Sequence, residues 1–215
     1  MRLFIGDKNY SSWSMRPWVA LKAANIAFEE RLIRLAQDDT AARIAEVSPS
    51  GRVPVLEDGE LRIWDSLAII EYVAERFPDR GLWPAQVAAR ARARCISAEM
   101  HAGFAALRTH MSMNIRNRYP GKGRTSEVEA EIARITSMWR DALKASGGPF
   151  LFGAWTAADA MYAPVVMRFR TYEVAMPAEC EAYMRAVETH PAVAQWVADA
   201  HADGRPIARY DGIYA

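Results

Sequence analysis

The apolar positions along this chain change period once, across the punctuated stretch Phe77 to Pro84. Before it they fall in short runs, Leu3-Phe4-Ile5, Phe28 to Leu35, Val53 to Leu56 and Leu61 to Trp64, each bounded by turn residues, which reads as four strands. Asp58-Gly59 between the last two is a strong hairpin signal. Helical spacing takes over between and after them, through Trp18, Val19, Leu21 and Ala24, and again through Leu67, Ile70 and Val73 with Ile69 and Tyr72 flanking. Ser14 is expected to cap the first helix, with Pro17 tolerated in its first turn. Asp38-Asp39-Thr40 opens a short second helix, and Asp65 or Ser66 caps the third. The expected order is β-α-β-α-β-β-α.

Everything after Pro84 reads as helix. Val87 to about Asn117 forms one long alanine-rich helix, stopped by Pro120-Gly121-Lys122-Gly123. Thr125 to Ala145 carries Val128, Ile132, Ile135, Trp139 and Leu143 on one stripe. Thr156-Ala157-Ala158-Asp159 has the form of a capping box, braced by the apolar Phe152 to Trp155. Two shorter helices, about Ala178 to Glu188 and Ala192 to Ala200, precede a tail that is polar up to Tyr210. The expected class is therefore α+β, with an α/β domain over residues 1–80 and an all-helical domain over residues 86–215.

Composition narrows the partners. The 215 residues are 51% apolar with a net charge of +1, so the chain can bury a sizeable core and no global field recruits nucleic acid or an anionic membrane. No apolar run approaches spanning length, and the first residues read as a strand rather than a signal peptide. Cys95 and Cys180 stand far apart, which suits a reduced, cytoplasmic protein and two small core side chains. His101, His110, His190 and His201 lack ligand spacing, so no metal is expected. Residues 120–125 have glycine and lysine but not the order of a phosphate loop.

The candidate chemistry gathers in Ser50 to Tyr72. Pro54 cannot donate to a ladder, so it marks a sheet edge or a loop turning into one, and the bond before it is a candidate for the cis form. That leaves the Val53 backbone free to pair with an extended peptide, while the next helix start offers N–H groups to a carboxylate. A ligand that is both peptide and carboxylate fits both features. Arg52-Val53-Pro54-Val55-Leu56 followed by Asp65-Ser66 resembles the glutathione-binding half of the glutathione transferase family, and the element order resembles its thioredoxin-like domain.

The resemblance covers nearly the whole chain and implies glutathione as co-substrate. Ser11-Ser12-Trp13-Ser14-Met15-Arg16 is similar to the Ser-Ser-Cys-Ser-X-Arg motif of the zeta class and the Ser-Pro-Phe motif of the tau class. Carried across, Ser11 donates to the glutathione sulfur with Ser12 beside it, and Tyr10 is a rival donor. Trp13 stands where the zeta class has cysteine, which counts against zeta-type maleylacetoacetate isomerisation. Asp65 and Ser66 would hold the γ-glutamyl end, Val53 and Pro54 the cysteinyl backbone, and Arg52 the glycyl carboxylate, with Gln37 assisting. A second-substrate pocket is expected from Tyr10, Trp13, Met100, His101, Phe104, Arg108, Met113 and Asn114. The implied activity is transfer of the thiolate to a small hydrophobic electrophile by a homodimer. The rivals are glutathione-dependent isomerisation, reductive cleavage, and a non-catalytic ligand-binding module. The aromatic lock that some classes carry before the third strand is absent from Val47-Ser48-Pro49-Ser50.

Overall fold

A computed structural model describes residues 1–214. The first half is β1 (Arg2–Ile5), α1 (Ser12–Ala23), β2 (Glu29–Leu32), α2 (Thr40–Val47), β3 (Val55–Asp58), β4 (Leu61–Trp64) and α3 (Ser66–Arg76), in the order expected. The sheet runs β2-β1-β3-β4, with β1 parallel to β2 and antiparallel to β3. Leu3 and Ile5 alternate into the core from β1, while β2 exposes Glu29, Glu30 and Arg31 as an edge strand can. The hairpin pairs Asp58 with Leu61 across a tight turn in which Gly59 takes φ 62°, a conformation that glycine adopts without steric cost.

Two local readings change. β3 starts at Val55 rather than Val53 and lies between β1 and β4, so Pro54 stands at the head of an interior strand and not on an edge. The Val53–Pro54 bond is cis. Helix α1 starts at Ser12 with Ser11 at its N-cap, three residues ahead of the expected cap. Ser14 lies inside the first turn because its hydroxyl has another use, accepting the Gly6 N–H at 3.1 Å.

The second half is α4 (Val87–Ala102), α5 (Ala105–His110), α6 (Ser126–Ser146), α7 (Ala157–Thr171), α8 (Ala178–Thr189), α9 (Pro191–Asp203) and α10 (Ala208–Asp211). α7 is buried on nearly every side between α1, α4 and α8, and the stripe of α6 packs Trp139 against Tyr162, Phe169 and Tyr183. The capping box forms, with Asp159 accepting from the Thr156 N–H at 2.8 Å and the Leu151 N–H at 3.1 Å. Thioredoxin-like sheet and all-helical bundle share one hydrophobic core, α1 packing against α7 and α9.

The long helix expected from Val87 to Asn117 is a correction. It stops at Ala102, where a side chain on Gly103 would meet the Glu99 carbonyl oxygen at 2.8 Å and Phe104 turns to φ 56°. The Glu131 carboxylate then accepts the Ala106 and Leu107 N–H groups at 3.3 and 2.7 Å, which holds α5 as a separate short helix. Beyond His110 the backbone leaves the helix for tertiary partners: Ile115 N–H donates to the Asn9 carbonyl and Tyr119 N–H to the Thr171 carbonyl. Cys180 is buried as expected, but Cys95 is exposed on α4.

Candidate active site

The first turn of α1, the residues before β3 and the N-terminus of α3 meet α4 around a cleft of about 330 Å³. Of the residues read from the sequence, Trp13, Arg52, Val53, Pro54, Asp65, Ser66 and His101 line it; Ser50 and Trp64 join them unforeseen. Val53 lies ahead of the β3 ladder, and neither its N–H nor its C=O has a hydrogen-bond partner among the described residues. It is a strand stub ready for an added peptide.

The start of α3 is built to hold charge of both signs. Asp65 caps the helix, its carboxylate accepting the N–H groups of Leu67 at 2.9 Å and Ala68 at 3.2 Å. The Ser66 N–H ahead of them is unpaired among the described residues and points the positive end of the helix dipole outward. Asp65 adopts φ 77° and ψ 135°, a conformation that only glycine takes readily. The other Asp65 oxygen lies 3.2 Å from His101 Nε2, so a carboxylate from the sheet domain meets an imidazole from α4 across the cleft. Burial, against the pull of Asp65, lowers the His101 pKa.

Beneath the cleft lies a positive interior. Arg16, with only 1% of its surface exposed, sits 4.2 Å from the Trp13 ring and donates weakly to Ser66 Oγ at 3.4 Å, while its Nε has no partner. Arg168 donates to Ser12 Oγ at 3.1 Å and to the Met111 carbonyl at 2.8 Å. Arg108 lies 5.6 Å from the Trp13 ring on the side of α5. None of the three reaches a carboxylate within salt-bridge distance among the described residues. Burial first, then the neighbouring guanidinium groups, push Arg16 down to about 9 and Arg168 to about 10. Arg16 and Arg168 stay charged at neutral pH, and the cost of burying them falls when an anion arrives.

The serines are close to this charge but not on the cleft wall. Ser11 Oγ donates to Ser14 Oγ at 2.7 Å, so neither it nor Ser12 bonds a backbone N–H of the helix as a cap would. Ser12 Oγ accepts from Arg168 and keeps its own proton to give. Tyr10 points elsewhere: its hydroxyl donates to Asp211 and accepts from Arg116 Nη2 at 3.0 Å. Burial and the Asp211 bond raise its pKa.

The remaining expected residues stay outside the cleft. Gln37 is exposed in a turn and donates to the Ala36 carbonyl. Met100, Phe104 and Met113 are core side chains, and Asn114 is buried where it bonds Asn9 and Asp211. The greasy wall read into Met100 and Met113 is therefore packing. A larger cleft of about 960 Å³, between α6, α8 and the Gly147-Gly148-Pro149 turn, holds none of the expected site residues. Sequence reasoning named Arg16 without a role and missed Arg168, although a lone arginine inside the apolar run Val165 to Phe169 is a signal.

A four-stranded thioredoxin-like sheet, a capped helix mouth beside it and a helical second domain define a two-domain architecture. The glutathione S-transferase N-terminal domain matches residues 10–76 and the glutathione S-transferase C-terminal domain residues 84–199. The chain belongs to the glutathione S-transferase family. It is 34% identical over 109 residues to a probable maleylacetoacetate isomerase of Caenorhabditis elegans, covering 50% of each chain. It is 25% identical to a stringent starvation protein A homolog of Coxiella burnetii, covering 82% of this chain and 79% of that one. A glutathione transferase homolog from Burkholderia GL BGR1, solved with bound glutathione, superposes with a TM-score of 0.71 at 22% identity, covering 94% of this chain and 97% of that one. The matches to the first curated relatives span half or less of their length.

Proposed function

We propose that this chain is a glutathione-dependent enzyme that holds the tripeptide in the cleft as an added strand and activates its thiol at the start of α1. One observation carries the reading: the unpaired Val53 backbone, the free Ser66 N–H and the Asp65 carboxylate converge on one cleft above an uncompensated arginine cluster. The Ser66 N–H takes the γ-glutamyl carboxylate, Asp65 its ammonium, Val53 the cysteinyl amide and Arg52 the glycyl carboxylate. A free thiol has a pKa of about 8.5 and attacks only as thiolate. A serine hydroxyl, the α1 dipole and the buried guanidinium charge all favour the anion, so no general base has to keep the proton. Ser11 gives its hydrogen bond to sulfur by exchanging its bond to Ser14, and Ser12, polarised by Arg168, stands behind it.

Isomerisation of an acidic substrate is the second reading. The three arginines without a carboxylate in salt-bridge distance favour it, as does the name of the Caenorhabditis elegans relative. Homodimerisation in a cytoplasmic setting completes the proposal: Leu61 and Trp64 on edge strand β4 and Val87 at the start of α4 are exposed apolar side chains for a second copy to cover, and two free cysteines suit a reducing compartment. We place the division between residues 80 and 86, in the link between α3 and α4 that opens with the short helical turn Pro78–Arg80.

The test is a steady-state assay of wild type, Ser11→Ala and Ser12→Ala with a neutral and a carboxylate-bearing electrophile. Losing a hydrogen bond to an anion costs about 1.5–3 kcal/mol, so Ser11→Ala should cut kcat/KM roughly 10- to 100-fold and leave glutathione affinity within a few-fold. A wild type that prefers the acidic substrate favours isomerisation. A chain that binds glutathione and turns over neither electrophile is a carrier.

A further inference from the structure

The loop that delivers Ser11 is held from the far end of the chain. Asp7 pairs with Arg205 at 3.0 Å, and Lys8 pairs with Asp199 at 2.6 Å while its carbonyl accepts from Trp196. Asn9 bonds Asn114 and the Arg116 N–H. Tyr10 donates to Asp211 at 2.8 Å, and its ring stacks on Tyr210 at 5.2 Å. The same loop fixes the serines, since Ser11 N–H donates to the Asp7 carbonyl and Ser12 N–H to the Tyr10 carbonyl.

Asp211 is the hub of the last of these ties. Besides Tyr10, its carboxylate accepts from Asn114 at 2.8 Å, Asn117 at 3.2 Å and the Ile207 N–H at 3.1 Å, and its carbonyl accepts from Tyr119. Yet α10 buries no side chain of its own. Its apolar anchors flank it, Ile207 before and Tyr214 after, so the bonds gathered on the Asp211 carboxylate act chiefly on what they grip. We propose that Asp211, acting through Tyr10, is a positioning residue that holds the Ser11-Ser12 turn in register with the glutathione sulfur. The claim rests on the reading that thiol activation occurs at this turn, and it gives Tyr10 a supporting place behind the serines instead of a place at the sulfur.

The experiment uses the full chain as wild type, Asp211→Ala, Asp211→Asn, Tyr10→Phe and the Tyr10→Phe/Asp211→Ala pair. Hydrogen exchange without glutathione should show the amides of residues 7–12 exchanging about tenfold faster in Asp211→Ala, as loss of a charged bond allows. With glutathione bound, the thiol titration followed by thiolate absorbance should move to higher pH. The rate should fall about tenfold with the KM for glutathione within about twofold, and Asp211→Asn should recover part of the loss. The double variant should be no worse than the poorer single one, because both act on one bond.

Faster exchange confined to residues 205–214, or an unchanged thiol titration and rate, overturns the proposal. So does a Tyr10→Phe variant far less active than Asp211→Ala, which would place the phenol at the sulfur. A wild type that binds no glutathione sinks the functional reading alone, and the exchange result still decides whether the tail grips the loop.

Discussion

Asp65 combines a cost, a compensation and a use, which substitutions can separate. Its backbone, at φ 77° and ψ 135°, lies where a side chain costs about 1–3 kcal/mol. Its carboxylate returns part of that through the bonds to the Leu67 and Ala68 N–H groups, and losing such a cap costs about 1 kcal/mol. Asp65→Ala keeps the strain and loses the cap, so it should unfold about 1 kcal/mol more easily than wild type. Asp65→Gly loses the cap but relieves the strain, and should match wild type or exceed it by up to about 1 kcal/mol. Both lose the His101 contact, so that term cancels between them. Both also lose the carboxylate proposed to hold the γ-glutamyl ammonium, a bond worth about 1.5–3 kcal/mol, so glutathione should bind roughly 10- to 100-fold more weakly to each. Denaturant unfolding and calorimetric titration measure the two effects. Equal destabilisation of the glycine and alanine variants would show that no strain is stored there. Unchanged affinity would place the ammonium elsewhere.

Two further outcomes follow from buried groups. Asp159→Ala strands the buried Leu151 and Thr156 N–H groups at about 1–3 kcal/mol each, so chemical denaturation should show a loss of about 2–6 kcal/mol; a loss below 1 kcal/mol would contradict the capping-box account. Asp159→Asn, which keeps an oxygen for Leu151, should lose less. His190 accepts the Ala192 N–H on Nδ1 and stacks on Trp155 at 3.9 Å, and burial lowers its pKa. A folded-state pKa below the unfolded value of about 6.5 means that its contribution is complete above that pH and is lost as pH falls toward the folded value. The Tm advantage of wild type over His190→Asn should therefore shrink between about pH 7.5 and pH 5, and a constant difference would contradict it.

Local signals were legible and long-range competition was not. The hairpin, the Asp65 cap and the Thr156 capping box each depend on residues within a few positions of one another, and each formed. The end of α4 depends on Glu131, Asn9 and Thr171, which offer residues 105–119 better partners than a continuing helix does; no window around Gly103 contains them. Period alone likewise could not tell a core Met100 from a pocket Met100, because either would fall on the one buried stripe of α4. Ser14 was misread as a cap since nothing nearby announces that Gly6 will take its hydroxyl. Arg168 was written in an apolar run, but its partner Ser12 lies 156 residues away.

The central claim is that the cleft between Val53, Ser66 and Asp65 receives glutathione. Calorimetric titration of the wild-type chain with glutathione at neutral pH addresses it directly. Saturable binding of one tripeptide per chain, weakened by Asp65→Ala, is the predicted result; no heat of binding at millimolar glutathione would contradict it.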